Sequence, residues 1–371
     1  MKASRLNWID YARGIAIMLV CYRHVYEGSK EAGIPVKDYN FLEYANISLY
    51  SFRMPLFFII SGLFLFKSLQ KKGLKLYIEG RARTILYPYF LWGILQLTLQ
   101  IFFTKYTNSH PTPSSYLDLL YQPRECAQFW YLYALFNVSV LYSFTKYFLK
   151  LSAVYNIILG LVFFYGSSLI YQQNINAGFV SDILHYYIFF SIGDFLSSYL
   201  LDGKNQKYFG SGKFILLLLI PFGAGQVYFL LENLHHTTSK YMHVEFYQPF
   251  VFLLIALTGC VFIMNLCFYL QKKNAVKWIT VLGRNSLYIY VSHVIVFAFV
   301  RIVFDKLLGI QNVAIILVSG IVSGLLVPVL LYKLAVHWNM RWIFTLEKKS
   351  ENNERMRVSK SAVTPAPGIK N

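Results

Sequence analysis

The sequence predicts an all-α, polytopic integral membrane helical bundle with about ten transmembrane helices and both termini in the cytoplasm. Three observations carry this. First, the 371 residues are 56% hydrophobic and 18% aromatic but only 14% charged, more apolar surface than one water-soluble globule of ordinary composition can bury. Second, apolar runs of the length needed to cross about 30 Å of hydrocarbon recur along almost the whole chain. Third, the basic residues are sorted between alternate connections. With the amino terminus inside, segments 1–7, 67–83, 146–150, 202–213, 271–284 and 333–371 hold 25 of the 35 Lys and Arg, and the opposite side holds six. That is the positive-inside pattern of a multi-pass protein of the cytoplasmic membrane. The net charge of +18 therefore reports orientation; membrane lipid is the expected partner and nucleic acid is not.

Taken in order, the expected spans are 8–26, 46–68, 84–103, 128–148, 151–171, 180–201, 213–232, 248–270, 281–304 and 311–333. The first lacks a small-residue cleavage site and is interrupted by charge, so it is expected to remain as a helix and not to act as a cleaved signal peptide. Between spans two and three, Lys67 to Arg83 reads as a basic, amphipathic cytoplasmic loop lying among headgroups. Pro88 is expected to kink or start span three. Residues 1–345 form the transmembrane unit, and the polar stretch 346–371 has no apolar pattern, as in a disordered cytoplasmic tail. No inverted repeat of the kind that marks many transporters is visible. Cys21, Cys126, Cys260 and Cys267 lack metal spacing; Cys21 and Cys126 both fall near the outer face, where they could pair, but four buried small hydrophobes are the simpler expectation.

The first span carries charges that lipid does not tolerate. Arg13 and His24 are separated by eleven positions, hence about 20° around a helix and about 16 Å along it. Asp10 and Glu27 fall on the same side. Ionisable groups placed this way are expected to face a protein interior. His24, near the outer end, suits a general base toward a hydroxyl arriving from outside. Arg13, in the inner third, suits either a grip on a phosphorylated ligand or an ion pair with Asp10 at helical contact spacing.

Span two reads Ser51-Phe-Arg53-Met-Pro55-Leu-Phe-Phe-Ile-Ile-Ser61-Gly62. Arg53 lies at the depth of His24, where it either stabilises an oxyanion, binds a lipid phosphate or snorkels to the headgroups. Arg81 and Arg83, at the inner surface before span three, either take the phosphates of a cytosolic nucleotide or serve topology. Glu125 opens span four and is a candidate to orient His24. His293 lies near mid-membrane in span nine among polar side chains, with structural support and substrate contact both open. Asp194 is a second intramembrane carboxylate. No metal site is expected: His235, His236 and His243 lack a recognised spacing.

Arg13, ten residues, then His24; Arg53-Met-Pro-Leu-Phe-Phe-Ile-Ile-Ser-Gly62; Arg81-x-Arg83 with Pro88; Gln128-Phe-Trp130-Tyr-Leu-Tyr; and Ser286-Leu-Tyr-Ile-Tyr290 with His293 together resemble the membrane acyltransferase family 3, from about residue 5 to 335. The spaced arginine and histidine are the most specific element. The resemblance implies transfer of an acyl group, usually acetyl from cytosolic acetyl-CoA, to a hydroxyl of a cell-surface or exported polysaccharide or polyprenyl-linked glycan, with acyl-CoA as donor substrate and no permanently bound cofactor. It implies catalytic importance for His24 and Arg13 and donor-side roles for Arg81 and Arg83. The chain resembles the stand-alone branch, without the fused hydrolase-like domain of some relatives. Asp10, Glu27, Arg53, Glu125 and His293 are candidates for catalytic support. A transporter of glycolipid or small organic acids, with the same charges lining a route, is the rival reading; a sensor or scaffold ranks below it.

Overall fold

A computed structural model describes residues 6–203, 205–236 and 242–346; all but the first residue of the expected tail lies outside them. The described residues are all-α, without strands. α1 (Asn7–Glu31) is followed by α2 (Asn40–Ser48) and α3 (Arg53–Gly62). Expected span two is therefore a bent pair of helices. The bend falls at 49–52, and Pro55 is tolerated in the first turn of α3, where its missing N–H has no helical partner to lose.

α4 (Leu65–Arg81) occupies most of the expected 67–83 loop. This corrects the sequence reading: the segment is helical, interrupted only at Gly73, where φ is 72° and ψ is 169°. A positive φ of this kind is open to glycine at little steric cost. A π-helical turn at Ala82–Leu86 then leads into α5 (Tyr87–Phe102), with Pro88 in its first turn. The widened turn lies just where the proline leaves the hydrogen-bond ladder without a donor. The remaining helices are α6 (Asp118–Tyr121), α7 (Trp130–Tyr147), α8 (Ala153–Gln172), α9 (Phe179–Leu200), α10 (Gly212–His235), α11 (His243–Tyr247), α12 (Pro249–Lys273), α13 (Trp278–Arg284), α14 (Ser286–Ile302) and α15 (Val313–His337).

Among the described residues, seven helical segments are long and apolar enough to cross a membrane: Leu65–Phe102, α8, α9, α10, α12, Ser286–Leu307 and α15. The other three expected spans correspond to α1, to the α2–α3 pair and to α7. Burial is inverted relative to a soluble protein. α10 buries Gln226, Phe229 and Asn233 while Leu216, Ile220 and Leu231 are 67%, 73% and 61% exposed. An apolar outer surface with polar groups turned inward is what a lipid solvent selects.

α1 sits inside the bundle against α3, α12, α13, α14 and α15. Small residues set its depth. A Cβ at Gly14 would come within 2.3 Å of the Ile279 carbonyl oxygen, and one at Gly283 within 1.7 Å of the Asp10 carbonyl oxygen, so α1 and α13 touch backbone to backbone. Gly62 and Gly193 do the same for α3 and α9, with hypothetical Cβ atoms at 2.2 Å from the Phe190 oxygen and 2.1 Å from the Ile59 oxygen. Trp8 stacks on Phe268 of α12 at 4.4 Å, and its backbone N–H donates to Gln271 Oε1 at 2.8 Å. These contacts fix the rotation of α1, and with it the direction in which Arg13 and His24 point.

Candidate active site

His24 is half-buried on α1, and its ring centroid lies 5.2 Å from that of His293 on α14, which is fully buried. His293 Nδ1 lies 2.9 Å from the carbonyl oxygens of both Ile289 and Tyr290. Only a protonated Nδ1 can donate there, so in the neutral ring Nε2 keeps its lone pair; that atom is buried with no partner among the described residues. The site thus pairs two imidazoles, one accessible and one locked in a single tautomer.

Arg53 is 2% exposed. Its guanidinium donates to the Leu19 carbonyl at 3.2 Å, to the Asn46 carbonyl at 3.3 Å and to Asn46 Oδ1 at 3.4 Å. It points into the protein, which removes the snorkelling alternative. Asn46 in turn donates to Glu27 Oε1 at 2.8 Å. Arg23 and Arg53 both flank the Tyr50 ring, at 5.1 and 5.4 Å from its centroid, and both act electrostatically on His24.

At the other end of α1, Arg13 lines a cavity of about 350 Å³ together with Ser61, Lys72, Arg81 and Arg83. Arg81 is braced by its Nε–H to Ser139 Oγ at 3.3 Å, and Arg83 lies 3.7 Å from Glu79. Four cationic side chains against one carboxylate give the cavity a charge balance suited to an anionic ligand. Helix geometry alone puts Arg13 and His24 on one face; the structure adds what lies between them. Ser61 of this cavity lies beside Tyr131, which is also within electrostatic reach of Arg13 and Arg81. Ring centroids then follow at 5.2 Å from Tyr131 to Tyr290, 6.1 Å from Tyr290 to His293 and 5.2 Å from His293 to His24. Tyr290 is held by its hydroxyl to the Gln128 carbonyl. A column of aromatic side chains thus joins the basic cavity to the histidine pair.

Other sequence candidates fall elsewhere. Asp10 accepts from Arg284 Nε at 3.3 Å, tying α1 to α13. Asp194 is engaged by Lys146 at 2.9 Å and Tyr142 at 2.8 Å, a structural cluster. Glu125 lines a second cavity, at the His24 end of the bundle. All four cysteines are buried and free. Glu232, His236 and His243 come together with ligand atoms within 4.8 Å of one another. The two imidazole rings are nevertheless stacked at 3.6 Å with planes 2° apart. Lone pairs lie in the ring planes, so in this stacked arrangement the two imidazoles do not aim at one point.

Sequence reasoning missed a buried cluster at the His24 end. His185 Nε2 lies 3.1 Å from Glu245 Oε1. Tyr50 donates its hydroxyl to Glu245 Oε2 at 2.9 Å. Burial pushes the Glu245 carboxyl up, but His185, Arg124 and the Tyr50 hydroxyl together hold it below the ordinary carboxylate value. Arg124 pairs with buried Asp182 at 2.6 Å and lies over Trp130. Asp182 and His185 inside an expected span were a readable signal.

No curated protein and no solved structure matches the chain. A family model described as an acyltransferase domain matches residues 6–333, which covers α1 through most of α15 and takes in every residue of the histidine pair and the basic cavity. On that match, the chain belongs to the membrane acyltransferase family 3.

Proposed function

We propose that the protein transfers an acyl group, acetyl in the first instance, from cytosolic acyl-CoA to a hydroxyl of a cell-surface or exported polysaccharide or glycolipid. The observation that carries this is the placement of Arg13 and His24 at opposite ends of one buried helix, the first in a basic cavity and the second beside His293. In this reading the Arg13 end faces the cytoplasm, which the distribution of basic residues supports. Arg13, Arg81 and Arg83 hold the nucleotide phosphates, and the extended pantetheine arm follows the aromatic column toward His24.

The chemistry balances as a direct transfer. His24 takes the proton of the acceptor hydroxyl as its oxygen attacks the thioester carbonyl carbon. The tetrahedral oxyanion that forms is stabilised by positive charge from Arg53. The carbon–sulfur bond then breaks, the CoA thiolate takes up the proton from His24, and the ester stays on the outer side. Nothing charged and large crosses the membrane.

The test is thiol release from acetyl-CoA by the purified protein in lipid, with crude envelope glycan present, for wild type and His24→Ala. Release that needs both His24 and the glycan supports the reading. Wild type that consumes no acyl-CoA of any chain length overturns it in favour of transport.

A further inference from the structure

The second cavity, of about 310 Å³, is unlike the first in chemistry. It lies at the His24 end, walled by Arg124 and Glu125 before α7, Tyr171 and Asn176 after the bulk of α8, Ser181 on α9 and Phe246 on α11. Tyr171 and Phe246 stack at 4.1 Å with planes 11° apart, giving an aromatic wall. Around it stand planar polar groups and a hydroxyl. Its guanidinium, that of Arg124, is already neutralised inside the protein by Asp182, and His185 stands against the Glu245 carboxylate. The basic cavity at the opposite end, with four cations to one acid, has the reverse balance.

We infer that this cavity is the acceptor subsite of the proposed acyl transfer, holding one neutral sugar ring of the glycan while a nearby hydroxyl reaches His24. The inference rests on that functional reading and extends it. An uncharged polyhydroxy ring presents apolar C–H faces to aromatic walls and hydroxyls to amide, carboxylate and guanidinium edges, the combination found here. The volume is at the small end of ligand pockets, which suits a single ring. The cavity is also wired to the reacting end. His185 lines it, Glu245 joins His185 to Tyr50, and Tyr50 carries Arg23 and Arg53 over its ring. Its paired charges leave no net attraction for phosphate, so acyl-CoA and lipid phosphate are not its ligands.

The experiment uses the full chain in lipid vesicles, acetyl-CoA carrying a radiolabelled acetyl group, and total envelope glycan titrated by hexose content. The glycan is supplied in two arms, water-soluble polysaccharide and solvent-extracted glycolipid. Tyr171→Ala removes the aromatic wall, and Ala177→Trp, from a residue lining the cavity, fills it. Both are expected to raise the half-saturating glycan concentration at least fivefold, with kcat and the Kd for CoA unchanged; the arm in which the rise occurs identifies the source of the sugar. The unchanged CoA affinity certifies the fold. An unchanged half-saturation in both variants, or a loss confined to kcat, overturns the subsite while leaving the transfer reading standing. A wild-type protein that labels neither glycan arm overturns both.

Discussion

His24 of α1 and His293 of α14 face each other with ring centroids 5.2 Å apart and planes tilted by 58°. The two are not equivalent. His293 is tied by Nδ1 to carbonyls of its own helix, which leaves it unable to rotate without losing those bonds. His24 is the accessible member. A fixed imidazole beside a reachable one suits a division in which His24 exchanges the proton and His293 positions what His24 touches.

That division predicts unequal losses. His24→Ala is expected to lower kcat by about 10²–10⁴, the range for loss of a general base. His293→Gln is expected to cost about tenfold, one hydrogen bond's worth of positioning. Rates at saturating donor and acceptor check this. Equal losses in the two variants would argue against the assignment of the base to His24.

Arg81 and Arg83 are also distinguishable. Arg81 is braced against Ser139, whereas Arg83 and Glu79 have side chains 40% and 42% exposed. A braced cation gives up less entropy on gripping a phosphate. Arg81→Ala is expected to raise the KM for acyl-CoA by about 10- to 100-fold, the loss of a charge-assisted hydrogen bond, and Arg83→Ala by less, with kcat little changed in both. A KM effect larger for Arg83 would reverse the order of the two contacts.

Much of this arrangement is readable from the sequence, and what is not has a physical cause. Arg13 and His24 stand out because charge inside an apolar run is costly and helical periodicity puts both on one face. The 67–83 segment reads as a loop because its lysines break the apolar pattern, yet backbone hydrogen bonding carries the helix through to Tyr87 with one interruption at Gly73. Arg53 reads equally well as snorkelling or buried, since only the neighbouring Asn46 and Leu19 carbonyls decide it. Tyr131 and Tyr290 are two of 30 tyrosines and look like any interfacial aromatic until three helices, α1, α7 and α14, bring them into one column with the histidines. His185 and Glu245 are sixty positions apart, and no local pattern announces a pair made by tertiary packing.

The backbone contact between α3 and α9 should be unforgiving. A side chain at Gly193 meets the Ile59 carbonyl at 2.1 Å, and backbone cannot give way as a flexible side chain can. Gly193→Val is expected to destabilise the fold by about 1–3 kcal/mol or more through overpacking, read as a lower thermal midpoint in detergent. Gly166→Ala, where nothing lies within 4 Å, is expected to leave the midpoint unchanged or raise it, because alanine is the better helix former. A Gly193→Val protein as stable as the parent would mean that α3 and α9 are not in contact at this point.

Glu245 gives a prediction with a definite sign. Its folded carboxyl is held below the ordinary value of 4.5, so the unfolded chain binds its proton first as the pH falls. The stabilisation is therefore fully present above pH 4.5 and is lost as pH drops through the lower folded value. Glu245→Gln keeps an acceptor for the Tyr50 hydroxyl but removes the charge beside His185. At neutral pH the variant is expected to melt below wild type, since the carboxylate that His185, Arg124 and the Tyr50 hydroxyl favour is gone. Below pH 4.5 wild type is expected to fall toward the variant, and the gap in thermal midpoints should close. A gap that stays constant down to pH 3 would show that the carboxylate charge contributes nothing there and that only the shape of the side chain matters.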